Sequence, residues 1–205
     1  MNNFAYKVEN FTADIPVADY IAGYRDAPHF MKLCQKCPNY GKSWGCPPFD
    51  FDTESVLRQY NQAHIIATKI TPEANDIQIS ESQKLMIPER IRLERELLDM
   101  EKSIPGSRAF AFVGKCLYCQ KEECTRVCNQ PCRHPDKVRP SLDAFGFDIS
   151  KTLTYLFGIK LLWSENGLVP PYLMLVTALF HNNDRTPSVT PVFAERIFSR
   201  PQQQA

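Results

Sequence analysis

The chain has 205 residues, of which 43% are hydrophobic and 23% charged, with a formal net charge of +1. This length suits one domain, or one domain with elaborations, and the composition is that of an ordinary soluble protein. Nothing global points to nucleic acid or an anionic membrane, and the longest near-apolar run, 167–180, is too short for a bilayer and holds Pro170 and Pro171.

Read in chain order, residues 1–28 suggest a short strand over 5–8 and a helix over 17–24. Residues 29–50 read as a loop rich in Cys, Pro, Gly and aromatic residues. A short helix is expected over 53–61, with Asp52 or Thr53 as its N-cap. Residues 63–70 (Ala-His-Ile-Ile-Ala-Thr-Lys-Ile) have the pattern of a buried strand. Residues 79–102 give the clearest helix, with Leu85, Ile91, Leu93, Leu97, Leu98 and Met100 among Glu and Arg; Pro88 should kink or restart it, and Ile104-Pro105-Gly106 should end it. Its Glu/Arg-rich face reads as solvated.

A second buried strand is expected over 108–113, then a second cysteine-rich loop over 115–140. One or two short helices around Gly146, a short strand over 159–163 and a central strand over 172–180 follow. The tail beyond His181 is polar and contains Pro, and Gln202 to Ala205 are expected to fray. Strands alternating with helices indicate an α/β or α+β domain: a small mixed sheet flanked by helices, carrying both loops as one unit over 1–205.

The chemistry concentrates in eight cysteines. Met1 to Val8 show no basic or apolar leader pattern, so a cytosolic protein is expected, and that compartment keeps thiols reduced. A secreted disulfide framework is the weaker reading. The first group is Cys34-x2-Cys37-x8-Cys46; the second is Cys116-x2-Cys119-x4-Cys124-x3-Cys128-x3-Cys132. Two thiolates spaced x2 apart can converge on one metal or on neighbouring irons, and a Pro beside a ligand excludes helix and holds the loop open. Zinc favours paired Cys-x2-Cys knuckles, and neither group contains a second pair. The staggered spacing and the surrounding Lys and Arg favour an iron–sulfur cluster, with zinc as the alternative.

The run Cys34-x2-Cys37-Pro-Asn-Tyr40-Gly41-x2-Trp44-x-Cys46-Pro47-Pro48-Phe49 resembles the signature of a predicted metal-binding family, domain of unknown function 2284. So do Pro131-Cys132-Arg133-His134-Pro135 and the following Arg139-Pro140-Ser141-Leu-Asp-Ala-Phe-Gly146-Phe-Asp148. The resemblance extends from about residue 30 to 181 and implies metal or iron–sulfur binding without an established reaction. The family's second loop runs Cys-x2-Cys-x2-Cys-x7-Cys. Here Cys124-x7-Cys132 fits the last interval, while Cys119-x4-Cys124 is two residues longer and the loop has one cysteine more than the family set, so either Cys124 or Cys128 is its third ligand.

The preferred assignment is one [4Fe–4S] cluster on Cys116, Cys119, Cys124 and Cys132 and a second on Cys34, Cys37 and Cys46. The fourth iron of the second cluster would be open or met by Cys128, which otherwise reads as a small buried thiol. A single cluster sharing ligands from both loops is the other arrangement. Arg133 and His134 are candidates to bind an anionic ligand or donate to cluster sulfur, against a plain role in tying down the loop; Arg139 could reach the same region. Tyr40, Trp44 and Phe49 would shield a cluster by packing. His64 and His181 read as structural. No phosphate loop, dinucleotide fingerprint, Ser-His-Asp arrangement or nucleophile elbow is present. Three functions follow: a redox protein with an unidentified redox partner, an enzyme using an open iron on a small-molecule substrate, and a zinc-stabilised binding module. None involves nucleic acid or a membrane.

Overall fold

The computed structural model describes residues 4–111, 114–119 and 122–182. In chain order the elements are β1 (Tyr6–Pro16), α1 (Val17–Tyr24), α2 (Ala27–Lys36), α3 (Thr53–Leu57), β2 (Gln62–Pro72), α4 (Ser82–Ser103), β3 (Arg108–Phe110), α5 (Ile149–Phe157) and β4 (Leu173–His181). Short 3-10 turns lie at Ile79–Glu81, Thr125–Cys128 and Asp143–Phe145.

The strands form one sheet in the order β1-β2-β4-β3, and all three pairings are antiparallel. The expected α/β or α+β class is therefore met in its α+β form, with adjacent strands of one pairing sense only. β2 and β3 run parallel to each other on either side of β4, so α4 between them is a crossover spanning one strand. The expected central strand is β4.

Both faces of the sheet are covered. Ala63, Ile65, Ala67, Phe110, Val176, Ala178 and Phe180 face Val17 and Tyr20 of α1, Leu153 of α5, and the segment carrying Leu142, Phe145 and Phe147. Tyr20 lies at the centre of this layer, stacked on Phe147 with ring centroids 4.2 Å apart, its hydroxyl 3.0 Å from Thr152 Oγ1. On the other face Ile66, Ile70, Ala109, Leu175 and Leu179 pack on Leu85, Leu93 and Leu97 of α4. Burying each of the Val, Leu, Ile and Phe side chains among these contributes about 1.5–3 kcal/mol. Burial on both faces explains why β2 and β4 read as continuous apolar runs.

Several expectations change in this structure. β1 runs far beyond residues 5–8, pairing with β2 from Tyr6↔Pro72 to Pro16↔Gln62. Its apolar positions switch faces midway: Tyr6 and Val8 pack toward α4, whereas Phe11 and Ile15 pack toward α1. That switch breaks the alternation by which a strand is recognised. Residues 29–36, read as loop, belong to α2, which Asp26 caps by accepting from His29 N at 3.1 Å.

Helix α4 runs through Pro88 as one element, preceded by the turn at 79–81, while α3 ends at Leu57 and its Asp52 cap accepts from Glu54 N and Ser55 N. Residues 159–163 form no strand; Gly158 adopts φ +67° and Ile159 N donates to Leu153 O in closing α5. Of the strand expected over 108–113, Phe112 and Val113 lie outside the described residues, as does the tail from Asn183, including the expected fraying at Gln202 to Ala205.

Candidate metal centre

The first cysteine loop is set up by a helix end. Cys34 lies in the last turn of α2, and Cys37 is its C-cap, its N–H donating to Cys34 O at 2.9 Å. The Cys-x2-Cys turn is thus the termination of α2. The chain then folds on itself: Tyr40 N donates to Cys37 O (3.1 Å), Gly41 N to Pro47 O (2.8 Å) and Cys46 N to Ser43 O (3.0 Å). Gly41 has φ +68°, which favours glycine there. Phe49 anchors the far end of the loop, 5.1 Å from Phe51 and 5.3 Å from Phe145 between ring centroids.

The base of α2 is fastened from the segment after the second loop. Arg25 donates to Phe145 O (2.9 Å), Glu54 Oε2 (2.8 Å) and Thr53 Oγ1 (3.0 Å). Asp26 N donates to Gly146 O, and Asp148 N to Tyr24 O, both at 2.8 Å. Gly146 has φ +90°, and a Cβ there would stand 2.6 Å from Ala27 Cα. The motif Ser141–Asp148 therefore seats α2, with Ser141 Oγ accepting from Ala144 N at 3.3 Å.

The second loop rests on α4. Arg90, buried and 3.5 Å from Glu94, donates to Lys115 O at 2.9 Å, and Tyr118 hydrogen-bonds Glu94. Burial pushes Glu94 up, against the pull of Arg90; burial and the Glu94 charge raise Tyr118 to about 12. At the other end of the loop Arg139 grips Glu101 at 2.6–3.0 Å. The Glu/Arg face of α4 is thus not simply solvated: Glu89, Arg90 and Glu94 are buried. Arg139 is committed to Glu101 and to the carbonyls of Pro135 and Val138.

Arg126, on the turn Thr125–Cys128, joins the loops. Its Nη1 donates to Ser43 O (2.9 Å) and Cys46 O (2.6 Å), and its Nη2 to Pro48 O. The guanidinium lies 5.2 Å from the centroid of the Trp44 ring, whose Nε1 donates to Gln130 O at 3.1 Å. Trp44 is therefore tied across the two loops rather than only packed within its own.

All eight cysteines are free thiols. Burial pushes Cys34 and Cys46 up to about 11, with Asp143 and the neighbouring thiols of the same loop adding to it. In the second loop burial raises Cys116 and Cys132, and the other thiols of the group 116, 119, 124 and 132 raise them further. Hydrogen bonds oppose this: the backbone of Tyr118 on Cys116, and His134 N on Cys132 Sγ at 3.4 Å. Arg133 Nη1 approaches Cys119 Sγ at 3.8 Å and donates to Glu123 O at 3.0 Å, while its Nη2 pairs with Glu122 at 3.2 Å. Arg133 and His134 thus touch thiol sulfur, one through its side chain and the other through its backbone, while also bracing the loop.

Cys128 is exposed on the turn that docks on the first loop, which removes its reading as a small buried thiol. His64 and His181 are both buried in the sheet, His64 Nδ1 2.8 Å from Asp14 Oδ1. Among the described residues no three His, Cys, Asp or Glu side chains converge as a single ion requires. A cluster asks less of its donors, because each iron takes one thiolate and the sulfurs stand around an inorganic core rather than a point. In the second loop Cys116, Cys119 and Cys132 are each met by an N–H donor, which is the kind of thiol such a core takes.

From the residues alone Arg126 is one of the basic charges of the second loop with no sign of its contact to the first, and Asp143, Arg90 and Glu94 carry no sign of a place in this region. The basic character of the second loop was visible, but not which charge would cross to the first. The Ser141–Asp148 motif was visible too, without its role under α2.

Fold and site define a cysteine-rich α+β protein whose two loops meet beside one antiparallel sheet. The chain belongs to the predicted metal-binding protein family, domain of unknown function 2284, whose model matches residues 22–177. That span includes all eight cysteines and supports metal binding. No curated protein and no solved structure matches it.

Proposed function

We propose that the protein is a cytosolic iron–sulfur protein with a redox or electron-transfer role, acting with a redox partner or on a small molecule. Cys116, Cys119, Cys124 and Cys132 would hold one [4Fe–4S] cluster, and Cys34, Cys37 and Cys46 a second. The observation that carries this reading is the set of N–H groups directed at thiol sulfur: Arg133 Nη1 toward Cys119 and His134 N toward Cys132. Donors of this kind stabilise thiolate and raise the potential of the cluster it binds. When bound, a cluster supplies one-electron transfer; the chain's own residues ligate it, neutralise its charge and limit water access through Trp44 and Phe49.

Among the described residues no helix is long and apolar enough to cross a membrane. Free thiols accord with a reducing compartment.

An enzymatic reading, with an open iron in the first loop, draws support from the count of three thiols there and from Cys128 being exposed on the docked turn. Anaerobic purification with iron, sulfide and zinc analysis tests the primary reading. About eight irons and eight sulfides, with a broad visible band that dithionite bleaches, is the expected result. Colourless protein with stoichiometric zinc would replace it with a structural metal module.

A further inference from the structure

The turn Thr125–Cys128 belongs to the second loop by sequence but makes its long-range hydrogen bonds to the first. Three carbonyls of the segment 43–48 converge on one guanidinium, that of Arg126, and one of them is the carbonyl of Cys46. The Trp44 indole returns a hydrogen bond to Gln130 O in the opposite direction. Between these anchors the turn is internally closed, by Val127 N on Cys124 O (3.1 Å), Asn129 N on Arg126 O (2.9 Å) and Gln130 N on Thr125 O (3.0 Å). The turn is also bracketed by Cys124 and Cys132, which belong to the second group of neighbouring thiols. Whatever fixes those two thiols fixes both ends of the segment that presents Arg126 and Gln130.

We infer that Arg126 makes the two cysteine loops one linked metal unit, so that metal in the Cys116/Cys119/Cys124/Cys132 set strengthens retention of metal by the Cys34/Cys37/Cys46 set, and the reverse. This rests on the reading of both sets as metal sites. Holding Cys124 and Cys132 orders the turn, which seats the guanidinium on the carbonyls of Ser43, Cys46 and Pro48. The seated guanidinium then holds the Ser43–Pro48 segment, and Cys46 within it, in a fixed position. Linkage is reciprocal, because a contact available only when both loops are ordered stabilises each ordered loop equally. A planar guanidinium can serve three acceptors at once while stacking on an indole, which the single ammonium of lysine cannot reproduce.

The test uses the full-length, anaerobically purified protein exposed to a chelator together with an alkylating agent. Each cysteine is labelled as its metal leaves, and mass spectrometry assigns the label by position. Wild type should release both sets with a common time course. Arg126→Ala should speed labelling of Cys34, Cys37 and Cys46 by about tenfold or more, the scale of losing one charge-assisted hydrogen bond. It should also speed, to a smaller degree, labelling of the second set. Arg126→Lys should fall between the two. Cys119→Ala, which leaves the first loop's own residues intact, should accelerate labelling of the first set as well.

In a Trp163→Phe background Trp44 is the remaining one of the chain's two tryptophans, and its emission should shift when the second set loses metal. Unchanged first-loop labelling in Arg126→Ala or Cys119→Ala variants of native circular dichroism would overturn the linkage and leave metal binding standing. So would metal confined to one set. Wild-type protein without metal, labelled at once in both sets, would overturn the metal reading and this inference together.

Discussion

Arg139 meets Glu101 with both guanidinium faces of the contact filled, Nε and Nη2 each donating to the carboxylate at 2.6–3.0 Å. The same carboxylate accepts from Ala109 N at 2.6 Å, so one side chain at the end of α4 fastens β3 and the exit of the second cysteine loop together. Both partners are less than one-fifth exposed. Arg139→Ala should therefore cost about 2–3 kcal/mol of unfolding free energy, since it strands a half-buried carboxylate. Chemical denaturation of the two proteins side by side measures this.

The same pair sets a pH dependence. Burial pushes the Glu101 carboxyl up, but the hydrogen bonds from Arg139 and Ala109 and the nearby guanidinium charges outweigh it and hold it below the ordinary glutamate value. The unfolded chain then binds the proton more readily, so stability rises with pH in this window. The contribution is complete above the ordinary glutamate range and is lost as pH falls through the lowered folded value. Glu101→Gln should flatten the acid limb of a plot of stability against pH; an unchanged limb would assign acid sensitivity to other carboxylates.

Gly146→Ala should destabilise the protein by about 1–3 kcal/mol, combining a positive φ with a Cβ driven into the Ala27 backbone. Because Gly146 O also accepts from Asp26 N at the start of α2, the first loop should loosen before the sheet does. Hydrogen exchange would show faster exchange in residues 27–46 than in β2 and β4. Uniform acceleration would mean that α2 and the sheet open as one unit.

In metal-free protein Cys34 and Cys46, raised to about 11, are thiols at neutral pH. Iodoacetamide should modify them slowly compared with exposed Cys37 and Cys128, and faster as pH rises toward 11. Asp143→Asn removes an anion that raises both, so it should speed their modification at neutral pH. Metal uptake must expel these protons, so retention by the first loop should weaken as pH falls. Equal labelling of Cys34 and Cys37 at neutral pH would count against this.

Removing metal should lower the melting temperature and open the loops selectively. Both loops have few buried apolar side chains of their own, whereas the sheet is packed on both faces. Chelated protein should keep exchange protection in β2 and β4 and lose it across 37–48 and 122–139. Identical protection with and without metal would remove metal from the structural account.

How much of this was legible in the sequence follows from which interactions are local. The cysteine groups, α1, β2, α4 and β4 could be read because a thiol spacing, an apolar run or a helical period is a property of contiguous residues. The Asp52 cap and the Ile104-Pro105-Gly106 stop were legible for the same reason. Only the start of β1 is legible, because its apolar side chains change faces halfway and no single period describes such a strand. α2 reads as loop because cysteine and proline dominate its surroundings, although Asp26 and Pro28 carry a helix-start signal.

What only the tertiary structure decided is where the charges go. Arg126, Arg139 and Arg133 are equivalent as residues in a basic loop. In the fold one bridges to the first loop, one is tied to α4, and one lies against a thiol. The sequence determined that eight thiols would be grouped in two short segments of an α/β or α+β chain. It could not determine that the loops meet, because their contact joins residues some eighty positions apart, and only the folding of the sheet between them brings those residues within hydrogen-bonding distance.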